Sequence, residues 1–313
     1  MPLIEAPVSL KGKSQMKQRR NLTISQFFDK HFVTITIAPF VIAIAAACVV
    51  PLVMVFIESL FVDRPGEFFF VGFKNFLDIS TDRAFHADLL RTIEYSGLSS
   101  LFSFVIGLAM AMVLNQSIRG RGFFRVWALY PWAVPPVVAG FIFKWFFNEV
   151  YGAGNDLLIR IGIGGVNWLS QPDIAMVLLI ACDTWVRIPF VLIILLAGLQ
   201  TIPKVLYEAA EIDGASPVRL FRHITIPYLI APIRVAMLVV TMFSFRMMDI
   251  MMILTGGGPG RATHLFAAYI YKQGFRFLHF GRSAAASVIM IFATLLIVAA
   301  YNIFLKPRVK ESR

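Results

Sequence analysis

Charge is what this sequence has least of for its length. Only 15% of its 313 residues are Asp, Glu, Lys or Arg, against 58% that are hydrophobic. An average soluble domain is about 25% charged and about 45–50% apolar, so a water-soluble core is excluded. Cysteine is nearly missing too. Cys48 and Cys182 are the only two, and both lie in apolar runs. That excludes a disulfide framework and a cysteine zinc set, and it reads as two buried, inert thiols. Catalytic constellations are lacking. The five histidines, His31, His86, His223, His264 and His279, are scattered without metal-ligand spacing, and no nucleophile motif accompanies them. Gly12-Lys13-Ser14 is a fragment of a phosphate loop, but Pro7 occupies the motif's first glycine position and no strand precedes it. An ATPase site, catalysis and bound metal are therefore not expected.

What the chain does have is long uncharged runs. Six, at roughly 33–57, 92–114, 123–147, 174–199, 229–254 and 283–305, match the ~20 apolar residues that cross a bilayer. The first is too long for the apolar part of a signal peptide. The expected fold class is all-α, a polytopic membrane protein of six transmembrane helices. An even number leaves both termini on one side. The tails, the 115–125 turn and the 200–228 loop together hold sixteen Lys and Arg, the opposite loops nine. The richer side marks the cytoplasm, so both termini are expected there. The net charge of +11 is a feature of tails and loops and makes no case for nucleic acid. Inside or near the spans lie Lys144, Arg187, Arg234 and Arg246, with Pro39, Pro51, Pro131, Pro135, Pro136, Pro189 and Pro232. Broken helices are tolerated where neighbours or water satisfy the freed backbone groups, which suggests a lined pathway.

Between the fourth and fifth runs stands YEAAEIDGASPVRLFRHITIP, residues 207–227. Pro203 is suited to a first turn, and Ile202, Val205, Leu206, Ala209 and Ala210 recur at helical spacing. Asp213-Gly214 reads as a helix end, Ser216-Pro217 as a cap and restart, and Pro227 as the close of the second piece. The product is a short helix pair along the cytoplasmic face, carrying Glu208, Glu211 and Asp213. From periodicity alone it reads equally well as an interfacial linker.

Glu208-Ala209-Ala210, Gly214 and Ile224-Thr225-Ile226-Pro227 resemble the cytoplasmic EAA loop of ATP-binding-cassette importer permeases. Pro131-Trp132-Ala133-Val134-Pro135, Gly140 to Trp145, Gly152 to Asn155, Trp185 with Pro189-Phe190, Ala197 to Gln200 with Ile202-Pro203, and Thr255 to Pro259 are similar to the carbohydrate branch, and the last stretch to its maltose-type first permease. The resemblance covers roughly residues 90–300. It implies a basic cytoplasmic tail over 1–31, a permease domain over 32–306 with its core at 90–300 and its coupling loop at 200–228, and a second cytoplasmic tail over 307–313. It implies a multi-pass protein of the bacterial cytoplasmic membrane. Its expected partners are membrane lipid, a second, unlike permease subunit, two ATPase subunits that bind the ATP and Mg, and an extracytoplasmic solute-binding protein. This chain would bind no cofactor of its own. Glu208, Ala209, Ala210, Asp213 and Gly214 are the implied contacts to the ATPase.

Candidates for the solute pathway are weaker. Asp183 and Arg187 are four apart and share a helix face, and Arg246 and Asp249 are three apart. Charges in hydrocarbon cost about 2.5–3.5 kcal/mol each and usually face a bundle interior or a cavity, so they read either as structural ion pairs or as solute contacts. Trp145 and Trp185, with Tyr130 and Trp132, suit stacking on sugar faces or an interfacial belt. The 255–282 loop carries Arg261, Lys272, Arg276 and Arg282 and no acid. It suits either steering of an anionic sugar derivative or an acidic rim on the binding protein. The rival class is a stand-alone secondary transporter or channel driven through the intramembrane Asp/Arg pairs, which has no need of the 203–227 helix pair.

Overall fold

In a computed structural model of the protein, residues 24–64 and 67–305 are described. Most of the expected 1–31 tail and all of the 307–313 tail lie outside them. The described chain is helical apart from one small hairpin. Its elements are α1 (Ile24–Glu58), β1 (Phe61–Arg64), β2 (Glu67–Phe70), α2 (Lys74–Ser80), α3 (Arg83–Asn115), α4 (Arg121–Ala133), α5 (Pro136–Phe146), α6 (Ala153–Arg160), α7 (Pro172–Gln200), α8 (Lys204–Ile212), α9 (Pro217–Leu220), α10 (Ile226–Phe245), α11 (Asp249–Leu254), α12 (Phe266–Tyr271) and α13 (Phe280–Phe304). Two compact units divide between Val55 and Phe56. In the first, the side chains of α1 from Thr36 onward are apolar and exposed almost all round, Phe40 to 70% and Ile42 to 66%. A helix apolar on every face belongs in lipid. Cys48 lies on it and is exposed, so only Cys182 matches the expected buried thiol.

Five helical segments are long and apolar enough to cross a membrane: Thr36–Glu58, Arg83–Asn115, Pro172–Gln200, Pro217–Phe245 and Phe280–Phe304. The expected third span is not one helix. α4 and α5 meet at Pro135-Pro136 with a bend of 97°. Pro135 lacks an N–H to continue α4, and Pro136 then supplies a ready first turn for α5. Counted as one broken span, the pair makes six. The expected fifth span is also divided. α10 ends at Phe245, residues 246–248 are non-helical, and α11 begins at Asp249. Pro227, by contrast, closes nothing. A π turn over Phe221–Thr225 joins α9 to α10, with Ile226 N–H donating to Phe221 O, and Pro227 sits in the first turn that follows. The wider turn leaves room for a residue that has no N–H to give.

α7 is the axis of the second unit. It packs on α3, α10, α4, α5 and α11, and Leu179, Val191, Leu192 and Leu195 are wholly or almost wholly buried along it. One half of this core gathers Tyr95, Cys182, Ile250, Met251 and Leu265. The other half gathers Leu108, Ala111, Leu199, Leu229 and Val240. A third cluster, of Ile79, Phe85, Phe266 and Tyr269, seats α2 and α12 against α13. Two glycines set the helix spacing. A Cβ on Gly107 would lie 2.8 Å from Val191 of α7, and one on Gly198 would lie 2.6 Å from Pro232 of α10. Small residues allow such close approach where lipid gives helices no hydrophobic reason to associate. Replacing Gly107 by Leu should therefore lower the melting temperature of the solubilised protein, the overpacking costing about 1–3 kcal/mol. Gly97→Ala, at a helical glycine with nothing within 4 Å, should leave it nearly unchanged.

Candidate functional site

The 203–227 segment folds as a lever with a packed root and a bare tip. α8 follows Pro203, which caps it rather than entering it. Ile202, Leu206, Tyr207, Phe221 and Ile224 join the core at the ends of α3, α7 and α10. The Tyr207 hydroxyl lies 2.9 Å from that of Thr225 and ties the two arms together. Gly214 turns the chain at φ +73°, and among the described residues nothing beyond its chain neighbours lies within 4 Å of its Cβ position. A glycine takes this left-handed conformation without the steric cost other residues meet. Ser216 then caps α9 by accepting from Arg219 N–H. At the tip, Glu208, Ala209, Glu211 and Asp213 are exposed and Ala210 is half-buried. Around these acids stand Val205, Ile212 and Val218, with Ile212 86% exposed. Val205 and Ala209, expected with Ile202, Leu206 and Ala210 on one apolar face, are exposed instead. Only Thr201, Ile202 and Pro203 separate α8 from α7. Gln200, turned with its amide oxygen toward α4, accepts from Arg121 and Arg125 at 3.2 and 3.0 Å. The lever is thus fastened to three transmembrane elements at its base.

Asp183 and Arg187 do pair, at 3.1 Å. Asp183 is fully buried, and its other oxygen accepts from Ser99 Oγ of α3 at 2.6 Å and Ser244 Oγ of α10 at 2.5 Å. The Arg187 guanidinium lies 5.0 Å over the ring of Phe243. This carboxylate bolts three helices together and is closed to solvent in this conformation. Arg246 and Asp249 form no such pair. Both are exposed, Arg246 at the start of the break between α10 and α11 and Asp249 just after it, and Arg246 Nε donates to Met242 O. Trp185 is half-buried, its ring 5.9 Å from that of Phe143, whereas Trp145 on α5 is 58% exposed. The pathway candidates are therefore not gathered into one site.

A second buried carboxylate draws only one of its partners from nearby in the sequence. Asp88, near the start of α3, binds Arg91 at 3.0 Å, Arg261 at 2.6 Å and His264 Nδ1 at 2.8 Å. Thr92, one turn on, accepts from Phe266 N–H at 2.8 Å. Together they pin the Gly256–Gly260 loop and α12 to α3. Arg261 has φ 77°, a conformation that costs an L-residue about 1–2 kcal/mol, and its bond to Asp88 offsets that. Elsewhere, Asn155 folds the segment between α5 and α7. It donates to Glu149 O and Val166 O and accepts from Val166 N and Trp168 Nε1. Hydrogen bonds from Ser170 and Leu169 hold the Glu149 carboxyl below the usual range.

Residues 103–310 match the family of binding-protein-dependent transport system inner membrane components. This chain belongs to that family. It is 37% identical over 237 residues to the trehalose/maltose transport system permease protein MalF of Thermococcus litoralis, covering 76% of this chain and 79% of that one. It is 34% identical over 278 residues to the sulfoquinovosyl glycerol transport system permease protein SmoG of Agrobacterium fabrum, covering 87% and 90%. To the sn-glycerol-3-phosphate transport system permease protein UgpA of the same organism it is 37% identical over 244 residues, covering 77% and 82%. Its fold matches a chain of a bacterial ABC transporter for the acidic polysaccharide alginate with TM-score 0.79, at 22% identity, covering 92% of this chain and 99% of that one. The protein is a multi-pass permease of the carbohydrate ABC importer type. Because Asp183 is buried and paired, Asp183→Asn should leave Arg187 uncompensated and cost about 3–5 kcal/mol, read as a lower melting temperature and yield of the solubilised permease. Asp249→Asn, at an exposed and unpaired site, should change neither.

Proposed function

We propose that this permease is one of two unlike membrane subunits of an importer for a sugar or sugar derivative in a bacterial cytoplasmic membrane. In this reading it hydrolyses nothing. Two ATPase subunits, which bind ATP and Mg, dock at the α8–α9 tip on the cytoplasmic side, where both termini also lie, and a solute-binding protein delivers solute to the opposite face. The observation that carries the reading is the lever itself. Glu208, Asp213 and the bare Ile212 and Val218 make a small mixed patch that none of the described residues covers, at the end of an element rooted in α7 and α10. A docking patch joins apolar contact to polar groups, and here exposed aliphatics and acids stand side by side. Closure of the ATPase pair would push the tip, and α7 and α10 would carry that motion to the pathway. The named solutes of the relatives support the sugar class, and two of those names are of anionic solutes. That supports an anionic sugar derivative, in agreement with the basic 255–282 loop.

Complex purified through a tag on this chain should contain an ATPase, and its ATP hydrolysis should rise with one solute-loaded binding protein from a panel of neutral and anionic sugars. If no ATPase co-purifies, the lever reading fails and a free-standing transporter replaces it. Gly214→Asp should fold, since Asp tolerates a left-handed turn better than most residues, yet lower uptake at least about tenfold by placing a charged side chain in the docking groove. Unchanged uptake in that variant would count against docking at the tip.

A further inference from the structure

A cavity of about 310 Å3 lies at the end of the molecule that holds the Asp88 cluster. Asp82 and Ala84 from the start of α3, Arg261 and His264 from the glycine loop, and Lys272 and Arg276 from the π turn after α12 line it. Its charge is one-sided. Asp82 is the only acid in the wall, and both of its oxygens are engaged, one by Ala84 N–H and the other by the Tyr269 hydroxyl at 2.8 Å. Arg261 reaches Asp88 yet stays nearly half exposed. Lys272 and Arg276 form no ion pair among the described residues. Burial first, and then the nearby Arg261, press the Lys272 pKa below its ordinary value. His264 adds a second unmet demand. Its side chain is 2% exposed, Nδ1 faces Asp88, and the buried Nε2 has no partner. Like charges converging on a cavity and an unpaired buried nitrogen are both costly.

An anionic occupant answers the first of these costs. We propose that this cavity binds an oxyanion, the phosphate, sulfonate or carboxylate group of a small solute or of a lipid head group, held by Arg261, Lys272 and Arg276 against the His264 wall. Charge-assisted hydrogen bonds to such oxygens are about twice as strong as neutral ones, and an arginine fork suits them. The volume is at the low end of ligand pockets, which fits a head group rather than a whole oligosaccharide. The proposal rests on the importer reading only in placing the cavity on the outer face, where an arriving solute would meet it.

The test uses the whole complex in nanodiscs of zwitterionic lipid, titrated with inorganic phosphate and with sulfate at constant ionic strength, reading the melting temperature. Both anions should raise it above chloride. In Lys272→Gln/Arg276→Gln, which breaks no ion pair, the apparent affinity should fall at least about tenfold, the scale of removing one charge-assisted hydrogen bond. Lys272→Arg should keep the response. Equal shifts in wild type and double variant, or none in either, would overturn the proposal. Nanodiscs containing phosphatidylglycerol separate the sources. A lipid head group in the site would abolish the phosphate response and leave extra bound lipid in native mass spectra, absent from the double variant. A persisting response assigns the site to a soluble ligand. A wild-type complex whose ATPase answers no loaded binding protein would remove the importer reading yet leave the phosphate shift in place, so the two failures are distinct.

Discussion

A carboxylate that has no water to turn to organises the centre of this protein. Asp183 takes a guanidinium from its own helix and a hydroxyl from each of two neighbours. In hydrocarbon an unpaired ion would be expelled or protonated, so each of these donors is held in place by the cost of its absence. Non-specific apolar contact cannot set rotation about a helix axis when lipid tails are equally apolar. A point of polar contact can. α3, α7 and α10 are therefore keyed to one another at one depth, and the glycine contacts at Gly107 and Gly198 let them close around that point.

Movement has to be found elsewhere, in breaks of the backbone outside this key. The α4–α5 elbow and the gap between α10 and α11, which opens two residues past Ser244, are such breaks. The lever attaches to that trio at its base and is otherwise free. A rigid middle flanked by broken segments is an arrangement in which a displacement at one end is carried through rather than absorbed. At the opposite end Asp88 performs a similar fastening for the glycine loop, at a site where Arg261 keeps part of its charge available.

Much of this is legible in the residues, for identifiable reasons. Uncharged runs mark the spans because hydrocarbon tolerates little else, and Gly214 and Ser216 announce the turn and cap because their backbone chemistry is local. Asp183 and Arg187 are four apart on one helix, so their pairing follows from helical geometry. Their other partners do not, because Ser99 and Ser244 are 84 and 61 residues from Asp183, and an apolar span containing serines looks like any other. Asp88 escapes a reading of the sequence for the same reason, since Arg261 and His264 reach it across 173 and 176 residues. The parallel between Arg246–Asp249 and Asp183–Arg187 assumes a continuous helix. No proline or glycine marks the break at 246–248. Tertiary packing makes it, with Phe245, Met247 and Ile250 all buried.

The π turn at Phe221–Thr225 has a mechanical consequence. By letting α9 run into α10 without interruption, it makes Pro217–Phe245 a single strut of 29 residues, about 43 Å at the rise of an α-helix. A strut of that length acts as a tiller. A tilt of roughly 10° about the Asp183 contact near its far end sweeps the other end through about 7 Å, by the same rise per residue. The wider turn exchanges a hinge for stiffness, and an angular change too small to disturb core packing becomes a displacement as large as a side chain.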